Sequence, residues 1–125
     1  MLFGVADELA LGDNMRGYLV VAALREMADI EQLMGGRPDT VQQLAGLGDL
    51  VTTATSDSSH HYEMGRQLAR GAKDRIGGEG PHTLEMVEKY RLFDSSPYPL
   101  FQLVRKIIDD PGAADRYIRD HLQSL

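Results

Sequence analysis

The chain has 125 residues, a net charge of −6, 42% apolar and 26% charged residues, and no cysteine. These values describe one globular domain with enough apolar mass for a core. They exclude a disulfide framework and a thiolate metal site, and an acidic chain without a basic run is a poor match for nucleic acid or an anionic membrane surface.

The N-terminus lacks the basic start of a signal peptide, and Asp7 and Glu8 interrupt its opening apolar run. The longest apolar run, Tyr18 to Leu24, lies between Arg16 and Arg25 and falls far short of the ~20 residues that cross a bilayer. With cysteine absent as well, a cytoplasmic setting is expected. From Met15 to Met34 the sequence is mostly apolar, with Arg25, Glu26, Asp29 and Gln32 as one narrow polar stripe. This pattern predicts a long helix, central and buried on most sides, with Asp13 or Asn14 capping its start and Gly35-Gly36 ending it. Pro38-Asp39-Thr40 opens a further short helix. Thr40 to Leu44 and Gly46 to Thr53 read as two short helical pieces.

Ser58 or Ser59 can cap a helix running to about Arg70, with Met64 and Leu68 inward. Gly77-Gly78-Glu79-Gly80-Pro81 reads as a loop. Thr83 to Arg91 is helical, with Leu84 and Val87 facing in and Tyr90 a candidate third. Pro97 and Pro99 break the chain, and Leu100, Leu103, Val104, Ile107 and Ile108 then trace one helical face. Asp110-Pro111-Gly112 stops that helix. A last one, Ala113 to Leu122, turns Tyr117, Ile118 and Leu122 inward. Val51 to Thr55 is the one β-leaning stretch. The expected fold is therefore all-α, one compact multi-helix domain over residues 1–125, without repeats or low-complexity linkers. No Gly-x-Gly-x-x-Gly lies between a strand and a helix. Gly46-Leu47-Gly48-Asp49 imitates only its first half, so no Rossmann domain is expected here.

Two loops carry the chemistry-bearing residues: Leu11-Gly12-Asp13-Asn14, and Gly46 to Ser56. Glycine allows close backbone approach, an aspartate in apolar surroundings can hold a cation, and the hydroxyls after Asp49 can donate to phosphate or hydroxyl oxygens. The competing reading makes Asp13, Asn14 and Asp49 helix caps and the threonines helix surface. Spacing alone favours it, because caps are commonplace.

The order Ala6-Asp7, Leu9, Leu11-Gly12-Asp13-Asn14, Arg16, then Leu24-Arg25-Glu26-Met27, then Leu44-Ala45-Gly46-Leu47-Gly48-Asp49-Leu50-Val51 with Thr53, Thr55 and Ser56, resembles the NAD(P)-dependent glycerol-3-phosphate dehydrogenases. Glu79-Gly80-Pro81 with Thr83, and Pro99-Leu100-Phe101, continue the match over nearly the whole chain. The resemblance implies the helical, substrate-side domain, of the 6-phosphogluconate dehydrogenase C-terminal-domain-like fold. In that family a Rossmann half binds NAD or NADP, and hydride passes between the nicotinamide and dihydroxyacetone phosphate or glycerol 3-phosphate. A lysine moves the alcohol proton, and cationic and hydroxyl groups hold the phosphate. Carried over by position, Asp49 stands near the substrate and the catalytic lysine, where a carboxylate can orient that lysine and tune its pKa. Thr53 and Ser59 fall near the substrate, and Gly77 and Glu79 near the cofactor.

Two departures follow. The lysine-bearing helix is expected shortly before Met1, and Lys73, Lys89 and Lys106 do not match its position. Without that lysine and the Rossmann half, this stretch by itself is not expected to act as a dehydrogenase. Secondly, His60-His61 replace the family's Arg-Asn, which serves phosphate and cofactor. Arginine is a permanent forked cation, whereas histidine is mostly neutral near pH 7. The plain alternative makes both of them surface histidines. No metal site is expected, since Met64 and Gly65 occupy the i+4 positions; His82 and His121 read as surface residues. A truncated or divergent helical interaction module is the rival function, in which an apolar face left where the Rossmann half docks would favour a homodimer. A 2-hydroxyacid or 6-phosphogluconate-type dehydrogenase domain fits Gly48-Asp49-Leu50-Val51 less well.

Overall fold

A computed structural model describes residues 1–56, 58–72 and 77–125, the side chain of Glu79 excepted. Helices α1 (Leu2–Glu8), α2 (Asp13–Leu33), α3 (Asp49–Thr55), α4 (His60–Ala69), α5 (Glu79–Tyr90), α6 (Pro99–Asp109) and α7 (Ala114–Gln123) follow one another, with no strand among the described residues. The all-α expectation holds, and the β-leaning Val51 to Thr55 lies inside α3. Tertiary packing overrides β-propensity there.

The core gathers one face from most helices: Phe3 and Val5 from α1, Leu19 from α2, Leu68 from α4, Leu103 and Ile107 from α6, and Ile118 from α7. Leu68 and Ile107 have no exposed surface. Truncating either to alanine costs about 2–5 kcal/mol. The expected inner faces of α4, α6 and α7 are as read, with Met64, Leu68, Leu100, Leu103, Ile107 and Ile118 buried. Tyr90 is not: it is exposed, beside Arg91, whose left-handed backbone ends α5.

The long helix α2 corrects a second expectation. Among its residues only Met15 and Leu19 are buried, while Val21 and Leu33 are exposed. An apolar surface all round a helix needs partners on every side, and this chain supplies α1, α3 and α6 on one side and the turn Pro38–Gln42 at the far end. Its start also differs. Gly12, with φ +81°, takes the capping position, Asp13 is the first helical residue, and no side chain caps the end. Its C-terminus closes as expected. Gly35, at φ +85°, donates to the Gln32 carbonyl and Gly36 to that of Glu31, the paired bonds of a Schellman end.

Helices α1 and α4 cross backbone to backbone. A Cβ on Gly4 would stand 1.9 Å from the Tyr62 carbonyl oxygen, and one on Gly65 would stand 2.0 Å from that of Met1. Only glycine at both positions allows this approach. Polar bonds frame the crossing. Asp7 accepts from Arg16 and from the Tyr62 hydroxyl, and Glu8 from Arg66 and Arg70. The two arginines hold the Glu8 carboxyl below its usual range, Arg70 most strongly.

Glu26 leaves the polar stripe of α2 to cap another helix. Its carboxylate accepts from the backbone N–H groups of Leu100 at 2.6 Å and Phe101 at 2.9 Å. These are orphan donors of the first turn of α6, and a negative charge there also suits the helix dipole. Burial raises the Glu26 pKa, and the two hydrogen bonds work against that rise.

Candidate functional site

The segment before α3 is unusual. Leu44–Gly48 forms a π-helical turn, wider than an α-turn, and it delivers Asp49 as the first residue of α3. Gly46 is needed here for packing, since its Cβ would lie 2.1 Å from the Val41 carbonyl oxygen. Asp49 is exposed, caps nothing by its side chain, and has no protein hydrogen bond or ion pair among the described residues. The cap reading of this aspartate therefore fails.

The threonines separate by their bonds. Thr52 donates to the Gly48 carbonyl at 2.9 Å and Thr55 to that of Val51 at 2.9 Å, so both hydroxyls close on their own helix. Thr53 makes no such bond and faces a cleft of about 310 Å³ that also contains Asp49 and His61. The cleft floor is apolar, from Leu2, Phe3, Leu19, Met27, Leu50 and Val104. A few polar groups converging over apolar walls is the usual make-up of a small-molecule site.

His61 belongs to a second cleft as well, of about 360 Å³, bounded by Gly80, Pro81, Thr83 and Leu84 at the start of α5. That start differs from the expected loop. Gly78, at φ +104°, precedes the helix, and Glu79-Gly80-Pro81 already form its first turn. Proline is tolerated so early because its missing N–H has no intrahelical acceptor to lose. Both histidines lie against these glycines. His60 Nε2 is 3.7 Å from where a Cβ on Gly78 would stand, and His61 Cε1 is 3.6 Å from the equivalent point on Gly80. Their rings lie 5.9 Å apart at 63°. Both are exposed and open α4, whose first-turn N–H groups Ser59 flanks without a side-chain bond.

The structure thus brings together Asp49, Thr53 and His61, with His60 beside the neighbouring glycines. Ser59 and Gly77 line neither cleft, and the Glu79 side chain lies outside the described residues. Thr83 lines the second cleft although its sequence position alone assigned it no role. Neither did sequence reasoning find the apolar floor, which depends on the missed helix α1. Among the described residues no three His, Asp or Glu side chains are grouped for a metal, and no helix is long and apolar enough to cross a membrane. His82 is exposed, but His121 is not: it is buried with Nε2 2.6 Å from the Tyr18 hydroxyl, so the surface reading of that residue is wrong. Its ring sits on the inner face of α7 next to Ile118, a position the apolar periodicity itself marks.

A family model described as the C-terminus of NAD-dependent glycerol-3-phosphate dehydrogenase matches residues 1–119. The chain belongs to that family of helical C-terminal domains. Among curated relatives, a glycerol-3-phosphate dehydrogenase [NAD(P)+] of Agrobacterium fabrum is 38% identical over 109 residues, covering 85% of this chain and 33% of the relative. One of Aromatoleum aromaticum is 33% identical over 128 residues, 97% of this chain and 39% of the relative. One of Ralstonia nicotianae is 48% identical over 85 residues, 67% of this chain and 25% of the relative. The chain spans about a third of the length of these relatives. No solved structure matches it.

Proposed function

We propose that this domain forms the substrate side of an NAD(P)-dependent glycerol-3-phosphate dehydrogenase, interconverting dihydroxyacetone phosphate and glycerol 3-phosphate. The observation that carries the reading is the convergence of Asp49, Thr53 and His61 on one cleft. An unpartnered carboxylate at its mouth suits a cationic group brought from outside this chain, such as the family's lysine, whose charged form it would favour. The free Thr53 hydroxyl suits a substrate oxygen. His61, and His60 beside it, take the place of a permanent cation for the phosphate. Ser59 supports them at the start of α4.

Toward the cofactor, NAD or NADP, the chain offers an edge rather than a full site. Gly77, Gly78 and Gly80 keep the approach to α5 free of side chains beside His60, and Glu79 stands in that first turn. Bound there, the cofactor supplies or accepts hydride; this chain's residues hold the substrate and exclude water from one side.

The test is turnover of glycerol 3-phosphate with NAD or NADP by the longer polypeptide that joins this chain to a cofactor-binding half. Activity lost in Asp49→Asn and reduced mainly through KM in His61→Ala is expected. No turnover between pH 6 and 8 would overturn the reading. The rival, an interaction module that pairs into a homodimer, draws on the exposed Val21, Leu33, Met34, Leu44 and Val51. Sedimentation of the chain separates them: a dimer lost on Val21→Asp, in a polypeptide without turnover, favours the module.

A further inference from the structure

We propose a second ligand site on this chain, at the seam of α6 and α7, where a small oxyanion binds between Lys106 and His121. The seam holds a cavity of about 360 Å³ that shares no lining residue with either cleft. The His121 side chain is 9% exposed. Its Nε2 is occupied by the Tyr18 hydroxyl, and Nδ1 has no protein partner among the described residues. In the protonated ring both nitrogens carry hydrogen, and Nδ1–H is then the donor without a protein partner among them.

The other polar groups of the wall settle the ligand's class. The Ser96 hydroxyl donates to Asp94, that of Ser124 to the His121 carbonyl, that of Tyr117 to Asp110, and the Gln102 amide to Ser95. Their hydrogens are engaged within the protein. The donors left over are the Lys106 ammonium and His121 Nδ1, a pair that suits a compact anion rather than a sugar or polyol. Neither Lys106 nor Asp120, the one carboxylate on the wall, is in an ion pair among the described residues. Tyr18 from α2 bonds the ring, and Lys106 from α6 and Asp120 from α7 line the same cavity, with Glu26 behind Tyr18 engaged by α6. Burial and then Lys106 lower the His121 pKa. An anion in the cavity would accept from both Lys106 and the protonated ring.

Imidazole NMR of the chain, titrated with inorganic phosphate, tests the site by residue. The apparent pKa of His121 is expected to rise by about one unit at saturation. Lys106→Gln should abolish most of that rise while the His60 and His61 signals keep their own response, which keeps this test separate from the dehydrogenase reading. No rise, or the same rise in Lys106→Gln, overturns the proposal. Acetate in place of phosphate then distinguishes a general oxyanion site, where both act, from a phosphate site.

Discussion

The crossing of α1 and α4 and the cleft beside α3 use similar side chains to opposite ends. At the crossing, Asp7 and Glu8 are fully engaged by Arg16, Tyr62, Arg66 and Arg70, and two glycines leave no space between backbones. In the cleft, Asp49 and Thr53 have no protein partner among the described residues, although Thr52 and Thr55 on the same helix do. A carboxylate at the crossing holds the fold together, whereas the one lining the apolar cleft is, on the proposed function, kept for an incoming group. Stability and binding should therefore separate cleanly between the two regions.

The largest effect expected is at the crossing. Gly65→Val drives side-chain atoms into the α1 backbone, with a loss of about 4 kcal/mol or more, read by urea denaturation. Asp7→Ala strands the buried Tyr62 hydroxyl and takes one acceptor from Arg16, and should cost about 2 kcal/mol in the same assay. Glu26→Ala uncaps α6 and should cost about 1 kcal/mol. Asp49→Asn and Thr53→Val should move stability by less than about 0.5 kcal/mol. A large destabilisation by either would erase the contrast between the regions.

The pH dependence sharpens it further. Burial lowers the folded pKa of His121 below its usual 6.5, so its contribution is complete above that pH and is lost as pH falls below it. Glu8 is depressed by its arginines from 4.5, so its contribution persists above that value and disappears only in stronger acid. As pH falls from 6.5, the loss through His121 should precede that through Glu8, and it should be absent in His121→Gln.

Much of this was legible along the chain, because helix faces and glycine stops are local signals. Met64 and Leu68, Leu103 and Ile107, and the Gly35-Gly36 stop were read from spacing, and Asp49 and Thr53 from ordered motifs. What escaped depends on partners distant in sequence. The Glu26 bonds to Leu100 and Phe101 join two motifs that looked independent. The burial of His121 against Tyr18 depends on α2, a partner far along the chain, although its place beside Ile118 on α7 was already marked by spacing. The exposure of α2 was misjudged for the opposite reason, since an apolar pattern specifies a demand for contacts without saying whether the same chain meets it.

The glycine crossing has a mechanical consequence. Side chains between helices act as deformable packing, able to change rotamer when one helix tilts. Between α1 and α4 there are backbones in direct contact, as stiff as covalent geometry and close packing allow. Helix α4 begins with His60 and His61. A tilt imposed on α1 is therefore transmitted along a rigid lever to the two imidazoles, with no soft element to absorb it.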